Sequence, residues 1–318
     1  MHYRAQIDPL DSEMPRPLWS VMIPTYNCAA YLRKTLESVL QQDPGPERMQ
    51  IEVVDDCSTK DDPEAVVREM GNGRVAFYRQ PQNVGHTKNF ETCLNRSRGV
   101  LVHQLHGDDL IRIGFYEKME ALFKMHPEMG AAFCRTQFID ETGNELYLSA
   151  LEKETSGLLE SWLPNIARKQ RIQTPSIVVR REVYEKMGGF DRRLSWTEDW
   201  EMWVRIASTY SVGYEPTVLA EYRTHQSSNT GTYVRTGENM RDVQRAIQII
   251  GQYLNASQKA EISAYALKNY AYHARTTAQQ LYQEGDKSGA RAQIREAYRM
   301  YKNPAFLLSL ALLYYKSA

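Results

Sequence analysis

Apolar and polar positions in the first half of the chain follow two alternating periods. Short apolar runs, WSVMIP (19–24), IEVVD (51–55), VAFYR (75–79) and VLVHQL (100–105), stop at proline, glycine or a polar cluster and predict buried strands. Between them the spacing turns helical: Leu32, Leu36, Val39 and Leu40 recur on one face, with Asn27 placed to cap that helix. Asp62 and Pro63 supply a cap and a first-turn proline for a second helix ending at Gly71, and NFETCLNRSRG (89–99) forms a third closed by Gly99. Strands alternating with helices predict parallel pairing in a layered α/β sheet.

The second half is more mixed. GAAFCRTQFID followed by ETGNE (130–145) reads as a strand and a turn, SIVVR (176–180) as a strand, and REVYEKMGGF as a helix stopped by Gly188 and Gly189. TEDWEMWVRIAS (197–208) is helical with Thr197 as its cap, and VLAEYRTH (218–225) predicts another strand. From about Tyr233 the pattern is helical almost to the end, with EGDKSG as a turn between two helices. The reading divides the chain into an irregular arm (1–17), an α/β domain (18–232) and a helical region (233–318).

Bulk properties narrow the function classes. Lys+Arg and Asp+Glu both total 39 in 318 residues, so the basic excess of a nucleic-acid binder is missing. Cys28, Cys57, Cys93 and Cys134 form no CxxC pair, which predicts buried thiols in a reducing cytoplasm. MHYRAQIDPL lacks the apolar stretch of a signal peptide. The most apolar tract, AFLLSLALLYY (305–315), is about half the ~20 residues that cross a bilayer, so a membrane contact through the C-terminal helices would be peripheral.

Two motifs mislead. GNGRVA (71–76) fits a dinucleotide fingerprint, but that fingerprint must follow a strand and open a helix, and this one does the reverse. HQLH (103–106) suggests a metal pair, yet positions three apart on a strand face opposite sides, which makes His103 a packed or surface residue. By contrast, Thr25-Tyr26-Asn27, Asp55-Asp56 and Asp108-Asp109 each fall at the carboxyl end of a strand, where open α/β sheets bind ligands. Adjacent carboxylates there suit either a solvated turn or a cation with a phosphate opposite it.

In this order VMIPTYNCAAYLRKTLESVLQQ, IEVVDDCSTKDD, NVGHTKNFETCLNRSRG, HGDDL, GGFD and TEDWEMWVRIA resemble the family 2 glycosyltransferases over about residues 18–228. The resemblance implies the GT-A fold, a Rossmann-like three-layer α/β/α sandwich with a mostly parallel sheet, followed here by the helical region. It implies an inverting transfer from a nucleotide-diphosphate sugar, with a UDP-sugar as the expected donor and a saccharide or glycolipid as acceptor. The expected setting is cell-surface polysaccharide synthesis in the cytoplasm, at most peripheral at the inner membrane face or oligomeric through the C-terminal helices.

Residue by residue, the resemblance implies that Pro24, Thr25 and Tyr26 border the nucleotide. One carboxylate of Asp55 or Asp56, Asp55 being favoured, would accept from the base. Asn83, Lys88 and Asn89 fall where the family contacts base, ribose or phosphate, a solvated helix-end lysine being the competing reading of Lys88. His106 replaces the first acid of the family's D-x-D, leaving Asp108 as the residue expected on Mn²⁺ or Mg²⁺ and Asp109 to orient the site. Those ions prefer oxygen ligands, which favours a ribose or supporting role for His106 over direct ligation. His225 in YRTH is the second ligand candidate, against a structural histidine.

The family's E-D pair falls on Glu198 and Asp199, with Asp199 as general base. Acidic residues in a helix's first turn are also what its dipole favours, so Glu198 and Asp199 have a bland reading too. Asp191 is expected to support a turn or the acceptor, and Trp196 with Trp200 and Trp203 offers a stacking surface of which two should be core. A non-catalytic sugar-nucleotide module on the same fold, and less so a metal hydrolase, compete with the transferase.

Overall fold

The computed structural model describes residues 3–11, 15–224 and 229–317. In chain order the elements are β1 (Trp19–Thr25), α1 (Ala29–Leu40), β2 (Met49–Asp55), α2 (Pro63–Gly71), β3 (Ala76–Arg79), α3 (His86–Arg96), β4 (Leu101–Gln104), β5 (Leu110–Ile111), α4 (Phe115–Met125), β6 (Ala131–Ile139), β7 (Glu145–Leu148) and β8 (Gly157–Leu158). They continue with α5 (Trp162–Arg168), β9 (Ile177–Arg180), α6 (Arg181–Met187), α7 (Glu198–Ala207), β10 (Val212–Arg223), α8 (Asn229–Thr236), α9 (Glu238–Ile250), α10 (Ala256–Gln283), α11 (Lys287–Met300) and α12 (Pro304–Ser317). The chain forms two compact units. The first takes residues 1–160, 171–192 and 209–224, and the second takes 161–170, 193–208 and 225–318.

The first unit is built on one sheet in the order β3-β2-β1-β4-β9-β6-β10-β5, with β7 on β6 and β8 on β10. Every residue of β1 and β2 is buried, which is why both read as continuous apolar runs and not as alternating ones. They pair in parallel from Trp19 with Met49 to Thr25 with Asp55, so two chemically useful side chains end at one level. β4 continues the parallel set beside β1. Val21, Ile23, Leu32, Leu36, Val53, Leu101 and Phe115 belong to the core beneath. Gly99 enters this packing because a Cβ there would lie 2.4 Å from the backbone of Trp19 and Ser20.

SIVVR forms the expected strand, β9, and runs antiparallel to both β4 and β6. Apolar spacing reads the same in either direction, so pattern alone does not reveal a reversed strand. Asn27 does not cap α1: it sits at φ 51° with Cys28 at the cap position, and its Oδ1 accepts from the amides of Thr59 and Lys60 at 2.9 and 3.0 Å. That residue therefore joins the loops after β1 and β2. Asp62 does cap α2, accepting from Ala65 N at 3.1 Å, and Asn72 ends that helix in the left-handed region.

The second unit is helical. Asn255 caps the 28-residue α10 by accepting from Gln258 N at 2.9 Å. Small side chains at Ala266, Ala271, Ala274 and Ala278 are buried along α10, which packs on α11. The two are joined through Gly285 at φ 87° and Asp286, which caps α11 by accepting from Gly289 N at 2.8 Å. Among the described residues, no helix is long and apolar enough to cross a membrane.

Candidate active site

The turn HGDDL follows β4 and is pressed against the end of β1. Gly107 N donates to Pro24 O at 3.1 Å. A Cβ on Gly107 would lie 2.6 Å from Thr25 Cγ2 and 3.0 Å from Cys28 Sγ, so only glycine lets the turn approach this closely. Thr35 of α1 fixes the turn from the other side, its hydroxyl donating to Gly107 O and Asp109 O at 3.1 and 2.8 Å. Burial, with Asp108 nearby, pushes the Cys28 thiol up and keeps it protonated.

One potential ligand atom from each of His106, Asp108 and Asp109 falls within 4.8 Å of the others. The His106 ring stacks on Phe90, centroids 5.0 Å apart and planes at 16°. Asp109 is buried: Oδ1 accepts from Arg223 N at 2.9 Å, whereas Oδ2 has no hydrogen-bond partner among the described residues. His106 Nδ1 stands 3.8 Å from that oxygen. Desolvation, then the charge of Asp108, raises the Asp109 pKa well above the usual carboxylate range. A buried carboxylate oxygen without a donor calls for a proton or a cation, and two carboxylates with an imidazole form a donor set that fits a divalent ion. The geometry thus places a His106 ring nitrogen in the same cluster as the two carboxylates.

Arg223 is the residue that pattern reading passed over in YRTH. Its Nε donates to Asp108 O at 2.9 Å, its Nη1 to Asp140 O at 3.0 Å, and its guanidinium lies 4.9 Å from the Tyr31 ring centroid. One buried side chain thereby joins the end of β10 to the acidic turn. His225, two residues on, lies outside the described residues.

The carboxylates after β2 are not equivalent. Asp55, fully buried, accepts from Ser58 N and Oγ, from Arg79 Nε at 2.8 Å and from Thr25 Oγ1 at 3.4 Å, filling both oxygens. Asp56 accepts one amide on each oxygen, from Val84 at 2.7 Å and Gly85 at 3.0 Å, and keeps acceptor capacity. Burial raises the Asp56 pKa against those two amides. Of the two carboxylates, Asp56 is the one left with room for a further donor. Asn83 Nδ2 donates to Asp56 O at 3.1 Å, and Tyr26 presents a ring that is 47% exposed.

Other expected residues lie in different surroundings. Asn89 is a buried support, donating to Val54 O at 2.8 Å and accepting from Gln80 at 3.2 Å. Lys88 lines a polar cleft of about 470 Å³ with Arg4, Gln80, Glu91, Asn95 and Arg192, and the acidic turn does not line it. Asp191 is fully buried with Arg4 of the N-terminal arm 3.5 Å away, so it anchors that arm. His103 is packed, its ring nitrogens 3.2 Å from Tyr116 Oη and 3.0 Å from Pro175 O.

Glu198 and Asp199 open α7 in the second unit. The helix carries Trp200 and Trp203 in the core, while Trp196 just before it is half-buried. Thr197 occupies the cap position but makes no side-chain cap bond, because its hydroxyl donates to Asp242 at 2.7 Å. Asp242 of α9 collects far more. Its buried carboxylate also accepts from the amides of Ser195, Trp196 and Thr197 at 3.2, 2.9 and 2.9 Å and from Arg245 at 2.7 Å. It fixes the approach to α7 from a helix outside the resemblance, where no motif could flag it.

Asp199 retains some exposure, yet its surroundings desolvate the carboxylate. With Glu198 adjacent they push its pKa up to about 8, against one bond from Trp200 N at 2.6 Å and one from Gln170 Nε2 at 2.8 Å. Gln170 is itself held, its backbone N–H donating to Tyr270 Oη at 3.1 Å. A carboxylate of that basicity accepts protons near neutral pH.

The profile of glycosyl transferase family 2 matches residues 20–198. An uncharacterized glycosyltransferase of Rickettsia typhi is 28% identical over 222 residues, 68% of this chain and 67% of that protein. Among solved structures, S. aureus TarS 1–349 in complex with UDP-GlcNAc is 19% identical with a TM-score of 0.68, over 94% of this chain and 88% of that one. The mannosyltransferase PcManGT from Pyrobaculum calidifontis, in complex with GDP-Man and Mn²⁺, is 18% identical with a TM-score of 0.55, over 98% of this chain and 89% of that one. The two structures share its GT-A fold, and because the family profile spans more than half of its length, the chain belongs to glycosyltransferase family 2.

Proposed function

We propose that the protein is an inverting transferase that moves a sugar from a nucleotide-diphosphate donor, a UDP-sugar first, to a hydroxyl of a saccharide or glycolipid in cell-surface polysaccharide assembly. The observation that carries this reading is the convergence of His106, Asp108 and Asp109 around a buried carboxylate oxygen. The donors named with the two solved relatives, UDP-GlcNAc and GDP-Man, support the substrate class, and the Mn²⁺ of the second supports the cation.

Asp108 would hold Mn²⁺ or Mg²⁺ with His106 or Asp109 beside it and His225 as the expected further ligand, and the bound ion would offset the charge developing on the departing diphosphate. The remaining steps fall to the chain's own groups. Tyr26 borders the base and Asp56 accepts from its imide N–H, while Pro24 and Thr25 form the floor and Asn83 holds the loop across from them. Lys88 is the candidate point charge for a phosphate. Asp199 takes the proton of the acceptor hydroxyl as that oxygen attacks C1 from the face opposite the diphosphate, and one displacement inverts the centre. Glu198 keeps Asp199 basic, Trp196 serves as acceptor-side support, and Asp191 holds the N-terminal arm.

Incubation with UDP-sugars and Mn²⁺, with and without a saccharide acceptor, tests the proposal. UDP release that depends on acceptor is expected. Equal release without acceptor would mark a hydrolase, and donor binding without release a non-catalytic module; either result overturns the transferase reading.

A further inference from the structure

α12 is apolar around most of its circumference, and only one side of it is covered. Phe306 and Leu310 are buried, with the Phe306 ring 4.8 Å from Tyr272 of α10. On the opposite side Leu308, Leu312 and Tyr315 recur at helical spacing and are 64%, 60% and 83% exposed. A contiguous apolar stripe of this kind on a surface helix marks a docking face. α12 is too short to span a bilayer, so a membrane could take it only in the plane of its surface.

Charge decides between occupants. The whole chain is neutral, yet residues 287–318 hold six Lys and Arg against one acid, Glu296. That acid is buried and engaged by Arg299 at 2.7 Å. Arg295 and Lys302 are exposed on α11 and its C-terminal extension and have no ion-pair partner among the described residues. The Arg291 guanidinium lies 5.9 Å from the Tyr314 ring, which brings the basic side of α11 next to α12. A second copy would set this positive surface against itself. We infer that the exposed face of α12, flanked by the basic residues of α11, docks in the plane of an anionic lipid surface.

Flotation of the full chain with two kinds of vesicle tests this, one of phosphatidylcholine alone and one with an equal amount of phosphatidylglycerol. The protein should float only with the anionic vesicles and less at high salt. The exposed triple variant Leu308→Glu/Leu312→Glu/Tyr315→Glu should remain at the bottom, with its circular dichroism unchanged as the check on folding. Arg295→Ala/Lys302→Ala should partition on the order of thirtyfold less, each basic residue contributing about a factor of five at an anionic surface. Three results would overturn the inference: no flotation of the natural sequence, equal flotation with both vesicles, or a triple variant that floats undiminished. A natural chain that dimerises without floating, and becomes monomeric in the triple variant, would instead assign the face to a second copy.

Discussion

Asp108–Asp109 and Glu198–Asp199 are both adjacent acidic pairs, one in each compact unit, and residue type alone gives no reason to treat them differently. In the first pair, Asp109 receives one backbone amide and leaves its other oxygen bare beside Asp108 and His106, so the local demand is for positive charge. In the second, both oxygens of Asp199 are hydrogen-bonded, from Trp200 N and Gln170, and its pKa of about 8 creates a demand for a proton. Asp55–Asp56 shows a third outcome, in which protein donors satisfy one member entirely. Neighbouring donors and desolvation, more than the carboxylates themselves, separate an acidic pair that demands positive charge from one that holds a proton and from a structural brace.

The sharpest way to break that comparison is to neutralise one pair at a time. Asp199→Asn keeps the shape and removes the base; turnover should fall by ~10²–10⁴ while calorimetry finds the same donor affinity. Asp108→Ala should give the opposite profile, with donor affinity losing its dependence on Mn²⁺ and falling on the order of a hundredfold. If Asp199→Asn lost donor affinity and kept turnover, the two roles would have been exchanged.

A smaller effect should come from Asp242, which touches neither pair. It holds the amides of residues 195–197 and therefore the entry to α7. Asp242→Asn would put an amide N–H among those donors, and kcat should drop about tenfold, with KM for the donor unchanged and Asp242→Glu partly restoring the rate. A variant that lowers only the melting temperature would reduce Asp242 to a structural brace.

These cases also show what a sequence can disclose. β1, β2 and the acidic turn were legible because burial writes itself into apolar runs and the turn's glycine and aspartates are contiguous. TEDW was legible for the same reason. The supports were not: Asp242 and Gln170 act on α7 from 45 and 29 positions away, and no local period records such a contact. Arg223 was not legible either, because its partners, the backbone oxygens of Asp108 and Asp140, are distant in sequence. Asp55 and Asp56 are adjacent and alike in sequence, and only the fold shows that Ser58 and Arg79 donate to Asp55; residues 161–170 and 193–208 join the helical unit although they precede the tail.

A further expected effect is thermodynamic and separates Asp199 from an ordinary surface acid. Its folded pKa of about 8 stands above the ordinary 3.8, so between those values the folded chain binds more protons than the unfolded one. Stability must then fall as pH rises: the protonated form's advantage is full below about 3.8 and gone above about 8. One such group contributes a slope of at most about 1.4 kcal/mol per pH unit. Asn cannot ionise, so Asp199→Asn should remove that slope and become more stable than the natural chain on the alkaline side, even as it loses transfer. Chemical denaturation of both proteins at several pH values checks this. Parallel curves would mean that Asp199 is ionised like any exposed aspartate, and the contrast between a pair awaiting a cation and a pair awaiting a proton would be lost.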